Sequence, residues 1–160
     1  VLVRLLASLH DDDGNVAVTG LHEGTAAPVD RDEGWVRAES GLLDGVGEIG
    51  CGTVAQRIWA KPAITVIGID TTPISKASNT LIPRARAKIS MRVAPGGDAA
   101  THLEVLRRHL EDHVPWGAHV TVTAGDVGAS GSGLEHAPRA RAAMARSDER
   151  RKVDMGVEVL

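Results

Sequence analysis

The side chains with the clearest chemical potential lie in the run Ala85–Val93, ARAKISMRV. Read as an extended chain, it puts Ile89, Met91 and Val93 on one side and Lys88, Ser90 and Arg92 on the other. Arg86 shares the polar side with Lys88. Such a strand buries one face in an antiparallel sheet and turns a cationic face outward, where it can hold an anion. The guanidinium of Arg92 is suited to a carboxylate: it offers two parallel hydrogen bonds and keeps its charge at any working pH. Alternation alone describes more readily a guanidinium that only meets water. Lys88 and Arg86 read as a solvated basic stripe, able at most to steer anions.

The other reactive types are scattered. His109 and His113 stand four apart on a predicted helix and could share a metal ion, but no third ligand accompanies them. His10, His22, His102, His119 and His136 suit surface or loop roles. Asp11-Asp12-Asp13 reads as a turn, so neither a metal ligand set nor a catalytic group is assigned to this chain. The glycine-rich stretch 44–52, DGVGEIGCG, lacks the Gly-Lys-Ser/Thr ending and the strand-to-helix setting of a phosphate cradle, and reads as a loop. Cys51, the single cysteine, would need a nearby base to act as a nucleophile; it is expected as a small, mostly buried thiol.

The elements that must position these residues follow from periodicity. Leu2, Leu5, Leu6 and Leu9 recur at helical spacing over residues 1–10. Turn chemistry follows at 11–15, then a short strand at 16–18. Asp30 or Asp32 is placed to cap a helix through about Leu43, and Thr53 to cap a short turn reaching Trp59. Ile64–Ile69 and Ala85–Val93 are strands whose connection exceeds a tight hairpin. Asp98 caps a helix over 98–113 with Leu103, Leu106 and Leu110 on one face, ended by Pro115-Trp116-Gly117. His119–Thr123 alternates with Val120 and Val122 inward. Residues 125–133 read as a small-residue linker, 137–151 as a basic helix, and the tail 153–160 as ambiguous.

The 160 residues suit one domain with a modest core. With no Phe or Tyr and three Trp, that core must be aliphatic, and base-stacking platforms for single-stranded nucleic acid are disfavoured. A net charge of −3 draws the chain neither to nucleic acid nor to a membrane. The apolar opening is too short to span a bilayer and is interrupted by Arg4. A lone cysteine fits a reducing, cytoplasmic setting. The chain begins in mid-pattern without Met, as a fragment would.

Three stretches together resemble a known family: Trp59-Ala60-Lys61-Pro62-Ala63-Ile64-Thr65-Val66, Ala77-Ser78-Asn79-Thr80-Leu81-Ile82-Pro83, and Ala87-Lys88-Ile89-Ser90-Met91-Arg92-Val93-Ala94-Pro95-Gly96. In this order they resemble the lid, or dimerisation, domain of the zinc metallopeptidases that include carnosinase-type dipeptidases, carboxypeptidase G, acetylornithine deacetylase and succinyl-diaminopimelate desuccinylase. The dipeptidase branch is nearest. The resemblance implies an α+β fold, a ferredoxin-like two-layer sandwich with helices on one face of an antiparallel sheet. Here its first strand, a central one, is expected to be missing ahead of residue 1. It divides the chain into a lid domain over 1–124, with an insert at about 11–58, and a returning catalytic-domain segment over 125–160. It gives Arg92 the role of carboxylate clamp and brings Thr80, with Asn79 beside it, to the same pocket. It implies a homodimer through the lid, a small peptide or N-acyl amino acid substrate, and two zinc ions held by a catalytic domain whose ligands are absent from this sequence. Two alternatives stay open: a stand-alone ferredoxin-like module for amino-acid binding or assembly, and an inactive gene fragment.

Overall fold

The computed structural model describes residues 1–26, 32–129 and 151–160. The helices are α1 (Leu2–Ala7), α2 (Glu33–Ser40) and α3 (Ala99–His113); the strands are β1 (Ala63–Asp70), β2 (Ala85–Arg92), β3 (Val120–Ala129) and β4 (Arg151–Val159).

Local chemistry sets the element ends. In α1 the helical spacing buries Leu2 and Leu5, with Leu9 following on the same side. The turn after it is tied by Asp11, whose Oδ1 accepts from the backbone N–H of Asp13 (3.1 Å) and Asn15 (2.8 Å). The expected strand at 16–18 reduces to one bridge, His10 to Val16. Asp32 caps α2 by accepting from Trp35 N–H at 2.9 Å; Asp30 lies outside the described residues. Gly41, at φ 67°, closes that helix in the left-handed region that glycine adopts without strain. Thr53 and Gln56 form a reciprocal capping box, and the turn they start is a π turn over Gln56–Ala60. Asp98 caps α3 through Thr101 N–H at 2.8 Å. Leu106 and Leu110 are fully buried on its inner face, and His102 and His109 join them.

The strands form one antiparallel sheet in the order β1-β2-β4-β3. Its inner face, from Ile64, Ala87, Ile89, Met91, Val153, Met155, Val157 and Val159, packs against Leu5, Leu9, Leu106 and Leu110. The helices α1 and α3 thus cover one face, and the fold is the expected α+β two-layer sandwich. The other face carries Arg86, Lys88 and Ser90 from β2 and Lys152, Asp154 and Glu158 from β4. The two outer strands each carry a register irregularity, at Val66/Gly68 in β1 and at Ala124/Val127 in β3, and β2 pairs with β4 without one.

Three expectations need correction. The central position between β2 and β3, assigned to a strand ahead of residue 1, is filled by β4 from the C-terminal tail. Strict alternation in Val153-Asp154-Met155-Gly156-Val157-Glu158-Val159 puts four apolar side chains into the core and the acidic ones on the outer face. Residues 125–129, read as linker, continue β3, because they pair with Val153, Lys152 and Arg151 beyond a bulge. Of the basic helix expected over 137–151, residues 137–150 lie outside the described residues, and Arg151 opens a strand.

Candidate functional site

The sheet face away from α1 and α3 is the chemically loaded surface, and its residues align in rows across the strands. One row runs Asp70, Arg86, Glu158, Thr121; the next runs Gly68, Lys88, Gly156, Thr123; a third holds Thr65, Ser90 and Asp154; the last holds Ala63, Arg92 and Lys152. Where Gly68 and Gly156 flank Lys88, the missing side chains leave a trough of about 550 Å³, bordered by Arg86, Glu158 and Thr123.

The basic stripe of β2 is matched by carboxylates of β4. Glu158 Oε2 lies 3.3 Å from Arg86 Nε, and its Oε1 lies 3.4 Å from an outer nitrogen of the same guanidinium. This is a two-point grip of the kind expected for an external carboxylate. Arg84 approaches the same Glu158 at 3.5 Å. Asp154 lies 3.5 Å from Lys88 and 3.4 Å from Lys152. Partial burial works against the charge of Asp154, but a hydrogen bond from Ser90 and the ammonium groups of Lys152 and Lys88 outweigh it. They hold the carboxyl below its ordinary range.

Arg92 closes β2, half-buried, and its ladder partner is Lys152. Lys152 is itself 3.4 Å from Asp154, so the ladder pair sets two cationic side chains side by side with a carboxylate next to them. Thr80 and Asn79 sit in the exposed loop 71–84 ahead of β2, where Thr80 N–H donates to Ser78 Oγ at 3.3 Å. Arg92 is at the far end of β2 from that loop. At about 3.3 Å per residue, the strand between them spans roughly 23 Å. Within one chain the structure therefore does not gather the three expected substrate-binding residues. With 153–160 ambiguous from sequence, Asp154, Glu158 and Lys152 are not singled out there; the period of two over Val153–Val159 is the available signal.

His22, His102, His109 and His113 are held in hydrogen bonds and ring contacts, and His136 lies outside the described residues. His109 Nε2 lies 3.0 Å from Ser8 Oγ and 3.1 Å from Ser8 O, and its ring stacks on His113 at 4.0 Å. Burial, and then the neighbouring His113, push His109 below its ordinary pKa. His102 accepts from His22 N–H at 2.9 Å on Nε2, so its Nδ1 carries the proton that goes to Asp98 O at 2.7 Å. Among the described residues no three His, Cys, Asp or Glu side chains gather as a metal site. Cys51 is exposed rather than buried: Asn15 Nδ2 donates to its Sγ at 3.5 Å, and its own N–H donates to Asn15 Oδ1 at 2.7 Å. Hydrogen bonding to Asn15 holds it at the surface of the glycine-rich loop. Among the described residues no helix is long and apolar enough to cross a membrane.

Residues 1–118 match the family described as the peptidase dimerisation domain. The chain is 35% identical over 130 residues to a cysteinylglycine-S-conjugate dipeptidase of Corynebacterium striatum. That match takes in 76% of this chain and 28% of the relative. No solved structure matches.

Proposed function

The chain belongs to the peptidase dimerisation domain family, and from that premise we propose that it is the dimerisation and lid segment of a dipeptidase-like amidohydrolase. Its part would be to bind the free carboxylate of a small peptide or N-acyl amino acid. The observation that carries this reading is the position of Arg92 on the sheet face away from α1 and α3, opposite Lys152. The two-point Arg86–Glu158 grip supports it, because the same face already seats a carboxylate on a guanidinium. Thr80 and Asn79, on the far side of β2 from Arg92, would serve a carboxylate held by Arg92 only across a subunit boundary.

The rim of β1 suits the homodimer this reading needs. Ile67 and Ile69 are exposed on it, and the adjoining loop exposes Ile74, Leu81 and Ile82. Zinc ions expected in the intact enzyme would be held by residues outside this lid, and a cytoplasmic setting is consistent with the single cysteine. In the enzyme that carries this segment, Arg92→Ala should raise KM and lower kcat/KM, and unchanged kinetics would remove the clamp from consideration.

A second reading has its own support. With β4 in its centre, the sheet needs no strand from elsewhere, as a stand-alone module for amino-acid binding or assembly would require. Calorimetric titration of the 160-residue chain with amino acids and dipeptides, without metal, separates the two. Tight binding favours the module; heats no larger than dilution favour the lid.

A further inference from the structure

The seam between β2 and β3 specifies its occupant on both faces. On the inner side β2 offers Ala87, Ile89 and Met91, opposite Val157, Met155 and Val153. On the outer side Arg86 faces Glu158, and Ser90 faces Asp154, which Lys88 reaches diagonally at 3.5 Å. A slip of one residue would send Asp154 and Glu158 into the aliphatic core and four apolar side chains into water, so the register is written in the strand itself. Beyond the strand, Leu160 N–H donates to His119 O at 2.9 Å, extending the pairing to the last residue. The covalent link adds little to this specification. Ala129 pairs with Arg151, a junction that about two residues could close as a hairpin, yet residues 130–150 intervene.

We propose that the slot between β2 and β3 is a strand-binding site in its own right. Its ligand class is an extended antiparallel segment that alternates apolar with acidic side chains, and residues 151–160 are the copy the chain supplies to itself. Backbone pairing on both sides gives affinity, and the two faces give selectivity, as in recognition by strand addition. The site does not depend on the dimerisation reading, because it lies at the centre of the sheet and not at its rim.

The test uses the full chain with a specific protease site inserted between residues 138 and 139. After cleavage the two pieces should co-elute on size exclusion with an unchanged circular dichroism spectrum. The cleaved protein is then unfolded in urea with an excess of fluorescent RKVDMGVEVL and refolded by dilution. The labelled peptide should enter in proportion to its excess, and a peptide carrying D154K and E158K should enter about tenfold less well. Loss of the tail on cleavage, folded or unfolded, overturns the proposal, as does failure of the native peptide to enter on refolding. Equal uptake of the two peptides overturns the selectivity assigned to the charged face.

Discussion

The two ends of the polar sheet face use the same side chain in opposite company. At one end the Arg86 guanidinium meets Glu158, with Arg84 alongside. At the other, Arg92 stands across the ladder from Lys152. In the first the ladder partner is a carboxylate; in the second it is a cation, Lys152, that pairs with Asp154 at 3.4 Å. A guanidinium on a sheet therefore announces little by itself. Its cross-strand neighbour sets the charge it faces.

The contrast depends on β4 holding its register, so the largest effect is expected where that strand enters the core. Met155 is 1% exposed, and Met155→Ala should cost about 2–5 kcal/mol in urea denaturation. A loss below about 0.5 kcal/mol would mean that β4 is not seated in the seam. Next in size is the functional asymmetry. In the enzyme bearing this segment, Arg92→Ala should lower kcat/KM by about a hundredfold, the range for losing a charged two-point contact, while Arg86→Ala stays within about twofold. Equal effects at the two sites would erase the distinction between the ends.

Acid titration sharpens it further. The Asp154 carboxyl lies below its unfolded value, so the stability it contributes is present above that value, about 3.9, and is lost as pH falls through the folded value. Asp154→Asn should flatten the stability profile below about pH 4. His109 shifts the other chemistry: it is held neutral, so its contribution is present above about pH 6.5 and declines as pH drops toward its folded value. An Asp154→Asn profile parallel to that of the parent would deny the carboxylate its partners. The smallest effect belongs to Glu158→Gln. Its partners Arg84 and Arg86 are more than half exposed, so after solvent screening the change should be about 0.2–1 kcal/mol by thermal melts.

Much of this was legible without coordinates because the signals were local. Asp32, Thr53 and Asp98 sit where caps belong, and β2 alternates in a way only a half-buried strand does. The face and strand position of Arg92 followed from that alternation, whereas Thr80 and Asn79 beside it were only what the family resemblance implied. The centre of the sheet was not legible. β4 follows β3 only after residues 130–150, and the alternation in each strand does not say which strand it pairs with. The tail has its own alternation, but so short a run with no neighbouring strand in sequence stays ambiguous. The separation of Thr80 from Arg92 was hidden for a similar reason: twelve positions apart in sequence says nothing of direction until the strand between them is known to be straight.

The two bulges on the outer strands have a consequence for growth. A flat rim accepts neighbour after neighbour and ends in a fibre; a locally twisted one stops after a limited engagement. If two copies join along β1, each leaves its β3 border facing outward, kinked between Ala124 and Val127. That border would discourage a third copy, so the geometry favours a closed pair over an endless ribbon.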